Sequence, residues 1–171
     1  MNVLYTLNKG FEAQLVVSLS SLIENTAENL NVFIIYDGIN KKSYQFLKDF
    51  ENKRVEITFL KAPGISKKLI PDRGAKNQFY RLYIPEIFKK YSNINRVLYL
   101  DCDTLITKKG LEDLFKIEMG GYALAATIDP WSFHYKQFFN LEKDTNMFNG
   151  GIFLIDFENW KKKNYSEKLK K

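Results

Sequence analysis

Cysteine and histidine are almost missing from this sequence: Cys102 and His134 are the sole examples among 171 residues. A single thiol excludes an internal disulfide and fits a reducing cytosol. No histidine lies near Cys102 in sequence, so the thiol reads as a small filler rather than a nucleophile. Long apolar runs are missing too, and none approaches the ~20 residues a membrane-spanning helix needs. Met1-Asn-Val-Leu4 starts directly as a strand, with no charged lead-in and no cleavage signal. The expected location is therefore the cytoplasm. There is no internal repeat, no low-complexity linker and no nucleic-acid motif of the usual kinds.

What the chain does hold is apolar and aromatic mass. It is 45% hydrophobic and 15% aromatic, with 10 Tyr and 14 Phe. That composition is globular, and the length suits a single domain over 1–171 with a sizeable core. The net charge is +6. The lysines are spread along the chain and densest at its end, which reads first as solvated faces. The alternatives are a basic patch on the cytoplasmic membrane face and attraction of phosphorylated small molecules.

Val3 to Leu7 reads as a first strand. Leu15, Val16, Leu19, Leu22 and Ile23 then recur at helical spacing, predicting an amphipathic helix over 11–25. Asn31 to Tyr36 is a second buried strand, ended by Asp37-Gly38. Asn40 is placed to cap a helix that carries Tyr44, Leu47 and Phe50 inward. Val55, Ile57 and Phe59 alternate with polar residues, as in a half-exposed strand. Pro63 to Gly74 is loop-like. Residues 75–89 suggest a helix with Phe79, Leu82 and Tyr83 on one side, bent at Pro85. Leu111 to Phe115 is a short helix, and Tyr122 to Ile128 a strand stopped by Asp129-Pro130. Trp131 to Thr145 is an aromatic-rich connection. Gly151 to Ile155 is a last strand, and Phe157 to Lys171 is helical and basic, with Ser166 as an internal cap. This alternation predicts an α/β fold, a mostly parallel sheet flanked by helices on both faces.

The most telling stretch is Arg96-Val-Leu-Tyr-Leu-Asp-Cys-Asp-Thr-Leu-Ile106. Val97 to Leu100 reads as a strand buried on both faces. Asp101 breaks the run and Asp103 follows. Carboxylates at the end of a buried strand are costly unless something positive or strongly hydrogen-bonding meets them. Residues two apart on a strand point the same way, roughly 6.6 Å apart, and converge on one cation if the chain bends there. Oxygen-only ligands suit Mg²⁺ or Mn²⁺ bridging a diphosphate.

Four segments in order carry a family likeness: Val3-Leu-Tyr-Thr-Leu-Asn8, Asn77-Gln-Phe-Tyr-Arg-Leu-Tyr-Ile-Pro85, Val97 to Ile106, and Asn146-Met-Phe-Asn-Gly-Gly-Ile-Phe-Leu-Ile-Asp156. Together they resemble the signatures of glycosyltransferase family 8, over essentially the whole chain. The resemblance implies a GT-A, Rossmann-like fold of the nucleotide-diphospho-sugar transferase type. It implies a retaining hexosyltransferase that takes a UDP-sugar, glucose or galactose first, to a saccharide or glycoconjugate acceptor in bacterial polysaccharide or glycoconjugate synthesis. The cofactor implied is Mn²⁺ (or Mg²⁺), held by Asp101 and Asp103. Tyr5, Thr6 and Asn8 would line the uridine pocket, with Asn8 where the family often has aspartate. The Leu100 backbone and Asp101 would hold the ribose and metal. Arg81 would reach the diphosphate or donor sugar, and Asn149 the sugar near its reacting carbon. Gly150 and Gly151 would let backbone approach a ligand.

The resemblance also marks departures. The family's third metal ligand is a histidine well after the Phe-Asn-Gly-Gly motif, and His134 precedes that motif. The acidic segment that supports donor and acceptor likewise has no counterpart, so the sequence corresponds to the nucleotide-binding two-thirds of a family member. Trp131, Phe133, Tyr135, Phe138 and Phe139 are either an acceptor-side platform or core. Two other readings stand beside the transferase. One is a non-catalytic UDP-sugar-binding module. The other, more remote, is a phosphatase of the haloacid dehalogenase type, whose Asp-x-Asp motif leaves one residue before its threonine, whereas Asp103 abuts Thr104.

Overall fold

The order of the strands decides where a site can form. In the computed structural model, which describes residues 1–67, 69–70 and 76–169, six strands make one sheet in the order β3-β2-β1-β4-β6-β5. Their ranges are β1 Asn2–Leu7, β2 Leu30–Tyr36, β3 Val55–Lys61, β4 Arg96–Leu100, β5 Leu124–Ile128 and β6 Phe148–Asp156. β1 lies between β2 and β4 and is parallel to both, and β2 is parallel to β3. β6 runs antiparallel to β4 and to β5. The mostly parallel sheet is as expected; the one reversed strand, β6, has no signature in the sequence pattern. Chain connections leave β1 on one side for β2 and return on the other as β4. That reversal opens a crevice at the carboxyl ends of β1 and β4.

Alternation along the strands sends side chains to two cores. On one face, Val3, Tyr5 and Leu7 of β1 meet Leu15, Leu19 and Leu22 of helix α1 (Glu12–Glu24), with Ile34, Leu98 and Leu100. The apolar spacing read from the sequence is the one that packs. On α2 (Lys41–Lys48) Asn40 accepts the Ser43 amide and Leu47 is buried. On the opposite face, Leu4, Phe33, Val97, Tyr99, Phe153 and Ile155 meet Tyr80, Ile84 and Phe88.

Those last three residues correct the reading of 75–89. Lys76–Tyr83 is a 3₁₀ segment, Ile84–Ile87 one turn of α-helix (α3), and Phe88–Lys90 a 3₁₀ turn. The inward residues are Tyr80, Ile84 and Phe88, while Phe79, Leu82 and Tyr83 are only half-buried. Pro85 sits in the first turn of α3, where its missing N–H costs nothing. Residue 75, Lys68 and 71–74 of the expected loop lie outside the described residues.

The short helix expected at Leu111 to Phe115 is present as a 3₁₀ segment, Leu111–Lys116. Between β5 and β6 lies a brief helix, α4 (His134–Phe138), and Trp131, Phe133, Tyr135, Phe138 and Phe139 are all exposed. The core reading of those aromatics therefore fails. The basic tail is broken rather than continuous. α5 (Phe157–Lys162) is capped by Asp156, and Asn164 turns left-handed at φ 53° before α6 (Tyr165–Lys168). Ser166 is not a cap; its hydroxyl accepts the Trp160 indole N–H at 3.0 Å. Residues 170–171 of the expected helix lie outside the described residues. No helix among the described residues is long and apolar enough to cross a membrane.

Candidate functional site at the ends of β1 and β4

Asp101 is the first residue past β4. Its amide donates to the Gly151 carbonyl at 2.8 Å, continuing the β4–β6 ladder by one step. Its own carbonyl accepts the Thr104 amide at 3.1 Å. That bond closes a turn across Cys102 and Asp103. Asp103 is exposed, and Leu100 is fully buried, leaving only its backbone for a ligand.

The Asp101 carboxylate meets two donors, both on Oδ1: the Tyr99 hydroxyl at 2.6 Å and Arg81 Nη2 at 3.2 Å. Arg81 reaches in from the 3₁₀ segment on the face opposite α1. Its Nη1 donates to the Gly150 carbonyl. Its guanidinium lies 4.8 Å from the centre of the Tyr99 ring, within reach of the negative ring face. Tyr99 in turn stacks on Phe153, centroids 4.6 Å apart. Arg81 Nε is buried without a partner. Arg81 thus ties three elements together: its own segment, the end of β4, and the start of β6.

The two glycines of β6 make room for this pair. A β-carbon on Gly150 would lie 2.7 Å from Arg81 Nη1, and one on Gly151 would lie 2.9 Å from Asp101 Oδ2. Asn149 is exposed, and its side-chain oxygen accepts the Gly151 amide at 2.7 Å. Their first demonstrable use is internal: they let an arginine and an aspartate pack against backbone.

The residues expected to line a uridine pocket divide. Asn8 is half-buried just past β1, at the crevice. Tyr5 and Thr6 are buried, Tyr5 on the α1 face and Thr6 on the other. The Tyr5 hydroxyl accepts Ser18 Oγ at 3.1 Å, and Thr6 Oγ1 lies 2.8 Å from the Tyr99 hydroxyl. Any contact of these two with a base would come from backbone. Cys102 donates to the Thr6 carbonyl at 3.3 Å. Burial first, then the Asp101 and Asp103 charges, pushes its thiol up to about 12, which suits an inert filler. Burial likewise drives the Tyr99 hydroxyl well above its ordinary range; Arg81 opposes the shift and Asp101 adds to it. His134 sits on α4 against Tyr135, ring centres 4.2 Å apart. No group of three or more His, Cys, Asp or Glu side chains able to hold a metal occurs among the described residues.

The structure therefore unites Arg81, Asp101 and the Asn149–Gly151 stretch of β6. It adds Tyr99, which sequence reasoning treated only as strand core. The signal was present: residues 99 and 101 share a strand face.

A mixed, mostly parallel six-stranded sheet with its crevice between β1 and β4 is a fold of the GT-A class. Galactosyltransferase LgtC, solved with donor and acceptor sugar analogues, matches 99% of this chain and 65% of its own at a TM-score of 0.76 and 19% identity. The bifunctional glycosyltransferase WbbM matches 98% of this chain and 33% of its own at 0.80 and 14% identity. At such identities the likeness speaks for the fold alone. The chain belongs to glycosyl transferase family 8, whose model matches residues 2–171. General stress protein A of Bacillus subtilis is 35% identical over 90% of this chain and 54% of its own. A lipopolysaccharide 1,2-glucosyltransferase of Escherichia coli is 25% identical over 98% and 51%. The chain spans about half the length of these curated relatives. With the family shown, the phosphatase reading is set aside.

Proposed function

We propose that this chain carries the donor half of a retaining glycosyltransferase, which moves a hexose from a UDP-sugar to a saccharide or glycoconjugate acceptor. The observation that carries the reading is the assembly of Arg81, Asp101 and the Gly150–Gly151 backbone at the crevice between β1 and β4. Asp101 and Asp103 present carboxylate oxygens beside a turn, a donor set that fits a hard divalent cation completed by phosphate oxygens. A bound Mn²⁺ or Mg²⁺ would supply positive charge against the diphosphate. Arg81, a permanent cation, offsets the charge that gathers on the departing phosphate oxygen. Asn149 orients the donor sugar. Asn8 offers its amide to the uracil edge. The acceptor oxygen bonds to the face the diphosphate leaves, and the departing phosphate takes its proton, so configuration is retained without a covalent intermediate.

Titration with UDP, with and without Mn²⁺, tests the site. Metal-dependent binding is expected, lost in Asp103→Ala; equal affinity in that variant would refute the assignment. Assaying UDP release from UDP-glucose and UDP-galactose tests the chemistry. Binding without release, with or without added saccharides, would favour the non-catalytic module.

A further inference from the structure

We infer that Tyr99 and Thr6 form a hydrogen-bonded relay that positions the Asp101 carboxylate for a divalent cation; this rests on the donor-site reading above. The Tyr99 hydroxyl has one proton, and the 2.6 Å contact with Asp101 Oδ1 takes it, because a carboxylate only accepts. The 2.8 Å contact with Thr6 must then run the other way, from Thr6 Oγ1 to the Tyr99 oxygen. The direction is forced: Thr6 to Tyr99 to Asp101. Each bond polarises the next in a site closed to water on the strand side. Thr6 and Tyr99 are 2% and 0% exposed, so neither hydroxyl has solvent as a substitute.

The consequence falls on one oxygen. Tyr99 and Arg81 both bind Oδ1, and Oδ2 is turned toward Gly151. With Oδ1 held from two directions the carboxylate cannot rotate freely, and Oδ2 is the oxygen left for a cation. Ring stacking on Phe153 fixes the plane from which the Tyr99 hydroxyl acts. Thr6, placed by sequence in the uridine pocket, has its side chain on the Tyr99 hydroxyl and acts through it on the metal ligand. Tyr99 is a positioning residue, and the arrangement is that of partners that orient first ligands and set metal affinity.

Tyr99→Phe keeps the ring beneath Arg81 and against Phe153 and removes only the hydroxyl. Thr6→Val keeps the shape and removes the donor one step further back. Mn²⁺ affinity is measured by the electron paramagnetic resonance signal of free Mn²⁺, with UDP present and absent, beside thermal unfolding. Tyr99→Phe should weaken Mn²⁺ binding about 10-fold or more, with UDP affinity in the absence of metal unchanged. Thr6→Val should shift Mn²⁺ affinity in the same direction by less. Wild-type Mn²⁺ affinity in Tyr99→Phe, with affinity lost in Asp103→Ala, would overturn the relay and leave the donor site standing. If Tyr99→Phe fails to fold, unchanged affinity in Thr6→Val overturns the relay. Absence of Mn²⁺ binding in the parent protein would overturn both.

Discussion

At Gly150 and Gly151 the obstacle to a side chain is another side chain. An alanine at 150 would meet Arg81 Nη1, the end of a long side chain that can move aside, whereas one at 151 would meet Asn149 Oδ1 and the held carboxylate of Asp101. Neither glycine has the positive φ that would strain an alanine backbone. Gly150→Ala should therefore cost no more than about 1 kcal/mol of stability. It should nonetheless push the guanidinium off the Gly150 carbonyl and loosen its hold on Asp101. Urea unfolding paired with UDP titration in Mn²⁺ checks this: near-parental stability with affinity lowered about 10-fold is expected. Undiminished affinity would mean that where Arg81 rests has no bearing on the ligand. The Gly-Gly pair was visible in sequence, but its reason was not, because that reason is a partner 69 residues away.

Between elements, three charged side chains, Arg54, Asp156 and Arg96, act as staples. Arg54 donates from Nη1 to the carbonyls of Thr26 and Glu28, and from Nη2 to that of Ile23. A cation there meets the carbonyl-rich end of α1 and joins it to the start of β3. Arg54→Lys loses the fork and should cost about 1–2 kcal/mol in urea unfolding; no loss would show that the fork adds nothing beyond charge. Asp156 does two tasks. It accepts the Asn159 amide at 2.9 Å as the cap of α5, and Arg96 Nε at 3.1 Å. Arg96 also spans to the carbonyls of Phe115 and Ile117. Asp156→Ala should lower stability by about 2–4 kcal/mol, and Asp156→Asn, which keeps a capping oxygen, by less. Equal losses would assign the whole effect to the ion pair. The Asn40 cap was readable because capping is local. The tail break at Asn164 and the inward set Tyr80, Ile84 and Phe88 were not, because neighbouring strands select them.

Among the described residues, Tyr5, Tyr80, Tyr99 and Cys102 are buried groups that resist giving up a proton. Burial raises them above their ordinary values, 10.0 for each tyrosine and 9.0 for the thiol. In the unfolded chain they ionise near those values, while the folded protein keeps them neutral for longer. Their contribution to stability is therefore complete below about pH 9 and is lost as pH climbs from there toward 12. Urea midpoints measured across that interval should fall steadily, and Cys102→Ala should delay the onset of the fall. A midpoint that stays level would contradict the burial of these groups.

Periodicity and local turn chemistry, which depend only on near neighbours, sufficed to determine the strands, the buried face of α1, the cap at Asn40 and the α/β class. The family motifs were legible for the same reason: each is a short run. Tertiary structure alone decided that β6 runs backward beside β4, and this brings Gly151 up against Asp101. It alone joined Thr6 to Tyr99 and Arg81 to both Asp101 and Gly150. Those contacts depend on which strands lie side by side and on which face each residue emerges, and no window of sequence contains that information.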